Sequence, residues 1–195
     1  LTIDAAADFD LGGAFTEDGG GGVSTAGNVV TSGDAVTFNG AVTLTDNHNI
    51  DTTDGGGSAA GADVTYASAV DADTAGIQGL TLNMGTAGNL TFQSTVGTGT
   101  RTGALAVTNA ANVDFDAAVE AASISQGAGG GTTTFAATVD TSAAAGIDLN
   151  GAAFSFQNAV STTGGGTFTL TNSGTATFAA AADVAADGAF YQDGS

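Results

Sequence analysis

Carboxylates are the main chemical resource of this chain. Twenty Asp and Glu stand against one Arg (Arg101), one His (His48) and no Lys in 195 residues, for a formal net charge of −19. Asp8/Asp10, Asp71/Asp73 and Asp114/Asp116 are i, i+2 pairs, and on an extended strand such a pair projects from one face. Glu17-Asp18-Gly19, Asp54-Gly55 and Asp193-Gly194 set acidic residues beside glycine, the composition of a turn. Hard cations such as Ca2+ take about six to eight oxygens, which Asp, Asn and the carbonyls of Gly-rich turns can supply. On that chemistry the candidate Ca2+ ligands are Asp18, Asp54 and the Asp71/Asp73 pair. Ca2+ is the one cofactor this reading offers. The competing reading is a solvated acidic face with Asp in its turns. The glycine-rich calcium nonapeptide repeat is absent.

Paired carboxylates also cleave glycosidic bonds. A polysaccharide cleft adds aromatic platforms and basic residues, whereas the large aromatics here recur in a phase that points to a core. His48, in Asp46-Asn47-His48-Asn49, has no second His and no Cys to share a metal; it reads as a turn or surface residue. No nucleophile-elbow motif accompanies it. The glycine runs at 19–22 and 127–131 lack the Lys and the following helix of a phosphate cradle. Arg101 reads as a surface residue paired with a carboxylate. Thr132-Thr133-Thr134, Thr167/Thr169/Thr171 and Thr175/Thr177 could present rows of hydroxyls, but their spacing varies along the chain, and Thr is an ordinary strand former. No enzyme is expected.

Whatever these side chains do, a repeat must position them. An aromatic followed four residues later by Val recurs at Phe38/Val42, Tyr66/Val70, Phe92/Val96, Phe115/Val119, Phe135/Val139 and Phe156/Val160, with Phe178/Ala182 as a worn copy. The steps between aromatics are 28, 26, 23, 20, 21 and 22 residues. A second apolar patch falls twelve residues after an anchor at Ile3/Phe15, Phe38/Ile50, Phe135/Ile147, Phe156/Phe168 and Phe178/Phe190. Alternation at Leu80-Thr81-Leu82, Leu105-Ala106-Val107, Ile147-Asp148-Leu149 and Phe168-Thr169-Leu170 puts two apolar side chains on one face of a strand. Residues 23–35 are the hardest to place in register.

Two or three short strands per turn, inward residues in phase, and no Pro to break backbone ladders describe an all-β fold: a parallel β-helix (β-solenoid) of about eight coils of roughly 20–28 residues each. The runner-up is an antiparallel sandwich, which explains the alternation but not the recurring anchor. Aromatics and Val should form internal ladders. Phe135 should face inward and Asp140 outward to solvent.

Residues 1–20 and 176–195, aligned without gaps at an offset of 175, are identical at ten of twenty positions. The chain therefore reads as a single solenoid segment over 1–195: one higher-order repeat of about 175 residues plus an overlap, and a piece of a longer protein. Disorder would fit the charge, but 42% hydrophobic residues kept in phase, with only 11% charged, argue for a packed core.

The charge excludes nucleic-acid partners, since phosphate backbones require Lys and Arg, and argues against anionic membrane surfaces. No stretch approaches the ~20 apolar residues of a membrane span. Without Cys there are no disulfides and no thiolate metal sites.

The residues Val64-Thr65-Tyr66, Leu90-Thr91-Phe92, Thr134-Phe135, Ser155-Phe156, Thr177-Phe178, Leu80-Thr81-Leu82-Asn83 and Phe168-Thr169-Leu170-Thr171-Asn172 carry a pattern that resembles the large β-strand-repeat surface proteins of bacteria, such as filamentous-haemagglutinin-like and autotransporter-type adhesins. That resemblance implies export, an extracellular or cell-surface location, and a structural or adhesive role as a fibre, matrix or adhesin shaft. Continuation in a longer array or self-association, and contact with glycans or a cell surface, are the partners it suggests. A calcium-binding surface module and a polysaccharide-binding or -cleaving β-helix are the alternatives.

Overall fold

The computed structural model describes residues 1–194. It is a parallel β-solenoid of about nine turns, close to the eight expected. A turn runs over three faces, with a short strand on each in most coils. The first coil shows the scheme: Thr2–Ile3 on the first face, Phe9–Leu11 on the second and Phe15–Glu17 on the third. Every strand pairing between coils is parallel. The one helical element among the described residues is the 3-10 turn Asp54–Gly56, and no helix is long and apolar enough to cross a membrane.

The four-residue spacing of the anchor motif is the length of one corner. The aromatic closes the third face, three residues turn, and Val opens the first face of the next coil. Val23, Val42, Val70, Val96, Val119, Val139, Val160 and Val184 stand in one register on that first face. The partner of Phe178 is therefore Val184 and not Ala182, because the corner after Phe178 is two residues longer and contains the turn at Ala180-Ala181. Residues 23–35 are a regular coil, with Val23–Thr25 on the first face and Val29–Thr31 on the second. They were hard to place because Glu17, not an aromatic, stands in register with Phe38 in the coil before.

The anchors form the expected aromatic ladder on the third face. Phe38, Tyr66, Phe92, Phe115, Phe135, Phe156 and Phe178 are consecutive rungs. Ring centroids from Phe38 to Phe156 lie 4.8–5.2 Å apart, with planes within 8° of parallel. This is the ~4.8 Å rise of stacked strands imposed on the rings. Each offset-stacked pair adds about 0.5–1.5 kcal/mol beyond the area it buries. About nine such coils make a rod roughly 40 Å long.

Variation in repeat length sits in the corners. Between coils the strands keep register, while loops such as residues 54–62 and 97–101 bulge outward. At Gly97 the loop 97–101 leaves the wall with φ +72°, and a Cβ there would lie 1.9 Å from the Glu120 carbonyl oxygen, so only glycine fits. In two coils the corner between the first and second faces is absorbed into long strands, Thr102–Asn109 and Val119–Gln126.

The twelve-residue rule holds in part. Ile147, Phe168 and Phe190 share one inward row of the second face. In the Phe38 coil that row is filled by His48, two residues before Ile50. Phe15 does not belong to it at all: it sits on the third face, opposite Val36.

Candidate functional site

The Asn and Asp residues beside the strands act mainly between coils. Asp8 accepts a hydrogen bond from the Asn28 backbone N–H (2.8 Å), and the Asn28 side-chain Oδ1 accepts from the Asn49 backbone N–H (3.0 Å). On another corner Asp63 accepts from the backbone and side chain of Asn89, and Asn89 accepts from the Asn112 side chain (2.9 Å). Each side chain satisfies a donor one coil further along: the backbone N–H of Asn28, Asn49 and Asn89, and the side-chain amide of Asn112.

The four candidate calcium ligands lie in three places. Asp18 is exposed in the turn after the first third-face strand, where it lines a depression with Phe15, Glu17 and Gly20. Asp54 lies in the 3-10 turn at φ +53° and lines a separate open depression with Asp8, Asp10 and Asp51. Asp71 faces outward on the first face, and its Oδ1 accepts from the N–H groups of Gly99 (2.9 Å) and Thr100 (3.1 Å). Asp73 is exposed in the bend one residue past the same strand. Among the described residues, no three His, Asp or Glu side chains gather at metal-ligating spacing.

Asp51, which the sequence reading did not single out, organises the longest excursion. Its Oδ1 accepts from the Thr53 N–H (2.7 Å) and hydroxyl (2.6 Å) and from the Asn83 amide (3.3 Å), and its Oδ2 from the Gly55 N–H (3.3 Å). The signal was available: Asp51-Thr52-Thr53 directly precedes the turn and sits one residue beyond the inward Ile50.

Arg101 pairs with two carboxylates and spans three coils. Its guanidinium donates to Glu120 Oε2 (3.2 Å), to Asp140 Oδ2 (2.5 Å), and to the carbonyls of Ala121 (3.1 Å) and Asp140 (3.0 Å). Glu120 and Asp140 stand side by side in the outward row of the first face, where like charges repel. The one arginine lies at that contact. Asp140 is thus outward as expected but is not an idle solvent residue, since its Oδ1 also accepts from the Ser161 hydroxyl (2.6 Å).

His48 is buried, not a turn or surface residue. His48-Asn49-Ile50 aligns with Leu80-Thr81-Leu82, so the alternation alone turns the imidazole inward. The coil beneath offers Gly27, which leaves its carbonyl open to the interior. Nδ1–H donates to that carbonyl, with the Thr25 hydroxyl 3.2 Å away. Nε2 is buried without a partner among the described residues. Desolvation lowers the pKa from 6.5 to about 4, against the opposing pull of the Gly27 carbonyl. A second buried polar pair also went unnoticed in the sequence: Thr133 donates to Gln126 (2.7 Å) inside the wall.

Threonine is more regular than its sequence spacing implies. Thr16, Thr37, Thr65, Thr91, Asp114, Thr134, Ser155 and Thr177 form one outward row on the third face. The row is one residue wide. The run Thr132-Thr133-Thr134 divides, with Thr133 inside.

The two end coils differ from all the others. Phe178, Val184, Phe190 and Tyr191 are exposed on the last coil, and Leu1 on the first; Ile77 is the only other large exposed apolar residue among those described. Among the described residues, the strands Thr2–Ile3, Phe9–Leu11 and Phe15–Glu17 at one end, and Ala176–Phe178, Val184–Ala185 and Phe190–Gly194 at the other, are paired on one side. The matched stretches of sequence meet different faces. Ile3, Phe9 and Phe15 lie on the first, second and third faces, while Phe178, Val184 and Phe190 lie on the third, first and second.

No family model matches the chain, and comparisons with curated proteins and with solved structures gave no match.

Proposed function

We propose that the chain is a shaft segment of an extracellular fibre, matrix or adhesin at a bacterial cell surface, and that its role is mechanical. The observation that carries this reading is the aromatic ladder, parallel and evenly spaced from Phe38 to Phe156. Every rung rests on the coils before and after it, so a load is shared along the axis. The side-chain chemistry supports the same reading. Asp51, Asp71 and Asp140 hold loops and neighbouring coils, and the lone arginine bridges coils. The surplus negative charge keeps such rods soluble and apart.

An antibody against the purified chain tests the location. Labelling of intact source cells, lost on brief protease treatment, is the expected result. Labelling that appears only after lysis overturns the reading.

A further inference from the structure

The imidazole of His48 lies at the contact between two coils. We infer that protonating it opens the solenoid locally, between the coil of residues 23–38 and the coil of residues 42–66, while the coils from Phe92 to Phe156 stay closed. The device does not depend on the shaft reading and works wherever the chain resides.

His48 stands on the second face of the later coil. Its partners belong to the earlier one: the Gly27 carbonyl, the Thr25 hydroxyl 3.2 Å away, and the Phe38 ring, edge-on with centroids 6.1 Å apart. Leu80 lies opposite it in the coil above. Among the described residues, His48 and Tyr66 are the only ionisable side chains buried in the interior, and Tyr66 stays neutral in acid, since burial raises its pKa. No charged group faces the imidazole from Thr25, Gly27, Phe38 or Leu80. Asp46 and Asp51, on its own stretch of chain, accept hydrogen bonds elsewhere, from Asn47, Thr53, Gly55 and Asn83.

Protonation keeps the bond from Nδ1–H to Gly27 but adds a charge and a second N–H at Nε2. Among the described residues neither a carboxylate nor a free acceptor meets that N–H. A buried charge without a partner must reach water, and this one reaches it when the two coils part. Each coil of a solenoid contacts only its neighbours, so one interface can open while distant coils hold. The coils from Phe92 to Phe156 bury no ionisable side chain, and Arg101 ties three of them together. Mild acid therefore acts at one place. With the ring at 6.5 when open and about 4 when closed, opening becomes about 20-fold more favourable between pH 7 and pH 5.

Hydrogen exchange of the whole chain, read by mass spectrometry at pH 7 and pH 5 with labelling times scaled to equal intrinsic exchange, tests the inference. Most carboxylates remain ionised at pH 5. The expected result is about a 20-fold loss of protection in peptides covering 23–31 and 42–51, and less than about a twofold change in peptides covering 113–160. His48→Gln, whose amide can still donate to the Gly27 carbonyl, and His48→Leu should each abolish the loss. An equal loss in 113–160 shows that the rod opens as a whole and overturns the local joint. Unchanged protection in 23–51, or a loss that persists in both variants, overturns the role of His48.

Discussion

Ile3 and Phe178 hold the same place in two matched stretches of sequence, yet they stand on adjacent faces of the solenoid. A step of 175 residues therefore completes a whole number of turns plus two of the three faces. Strands keep register because their inward residues pack on the coils above and below. Matching sequence keeps only the spacing along the chain. Within this chain, likeness of sequence and identity of face therefore do not travel together.

The aromatic ladder should dominate stability. Phe135→Ala removes a buried rung between two stacked neighbours and should cost about 3–5 kcal/mol in chemical denaturation. Phe135→Asp buries an unpaired carboxylate and should unfold its coil. Asp148→Asn, outward on the second face, should change stability by less than about 0.5 kcal/mol. Equal effects at Phe135 and Asp148 would show that the inward phase is misassigned.

Tyr66 is the ladder's one chemical exception. Its hydroxyl is buried with no partner among the described residues, and burial pushes its pKa upward. Tyr66→Phe matches the other rungs and removes an unsatisfied group, and should raise stability by about 1 kcal/mol. A fall in the melting temperature would mean that the hydroxyl has a partner.

His48 makes stability depend on pH. Its folded pKa lies below the unfolded value, so the native state favours the neutral ring. The stability contributed by keeping the ring neutral is full above pH 6.5 and is lost as pH falls toward about 4. The shift is equivalent to about 3 kcal/mol. His48→Leu, the residue of the next coil in that row, should remove this component. Subtracting the variant's pH–stability curve from the parent's isolates it from the carboxylates. Parallel curves between pH 7 and pH 4 would contradict the buried site.

Arg101 should matter more than a surface ion pair. Arg101→Met leaves Glu120 and Asp140 facing each other and strips donors from two carbonyls. Because the carboxylates are partly solvated, the expected loss is about 1–2 kcal/mol, smaller at high salt. Arg101→Lys should recover only part of it, since an ammonium cannot span both carboxylates and both carbonyls. Full recovery by Lys would reduce Arg101 to a point charge.

Much of this architecture was legible in the sequence because inward positions accept few residue types. Phe38 through Phe156 and Val42 through Val160 could be read as ladders before any fold was known. What escaped was set by the neighbouring coil. His48 looked like a turn residue among Asn and Asp, but the open Gly27 carbonyl beneath it gives the imidazole an inside partner. Ala182 holds the four-residue spacing from Phe178, but the corner there is longer and Val184 takes the register, because corners vary freely where strands do not. An acidic turn reads the same in sequence whether its carboxylate faces a cation or caps a loop, so the inter-coil partners of Asp71 could not be read from its neighbours. For Asp71 the N–H groups of Gly99 and Thr100 are the partners found, and they come from the next coil.

The most direct test of the shaft account is electron microscopy of the native protein that carries this segment, imaged on its own cells and after release from them. The account predicts straight, unbranched rods of uniform width projecting from the surface, with length growing at ~4.8 Å per coil. Compact particles, flexible strings or protein confined to the cell interior would contradict it.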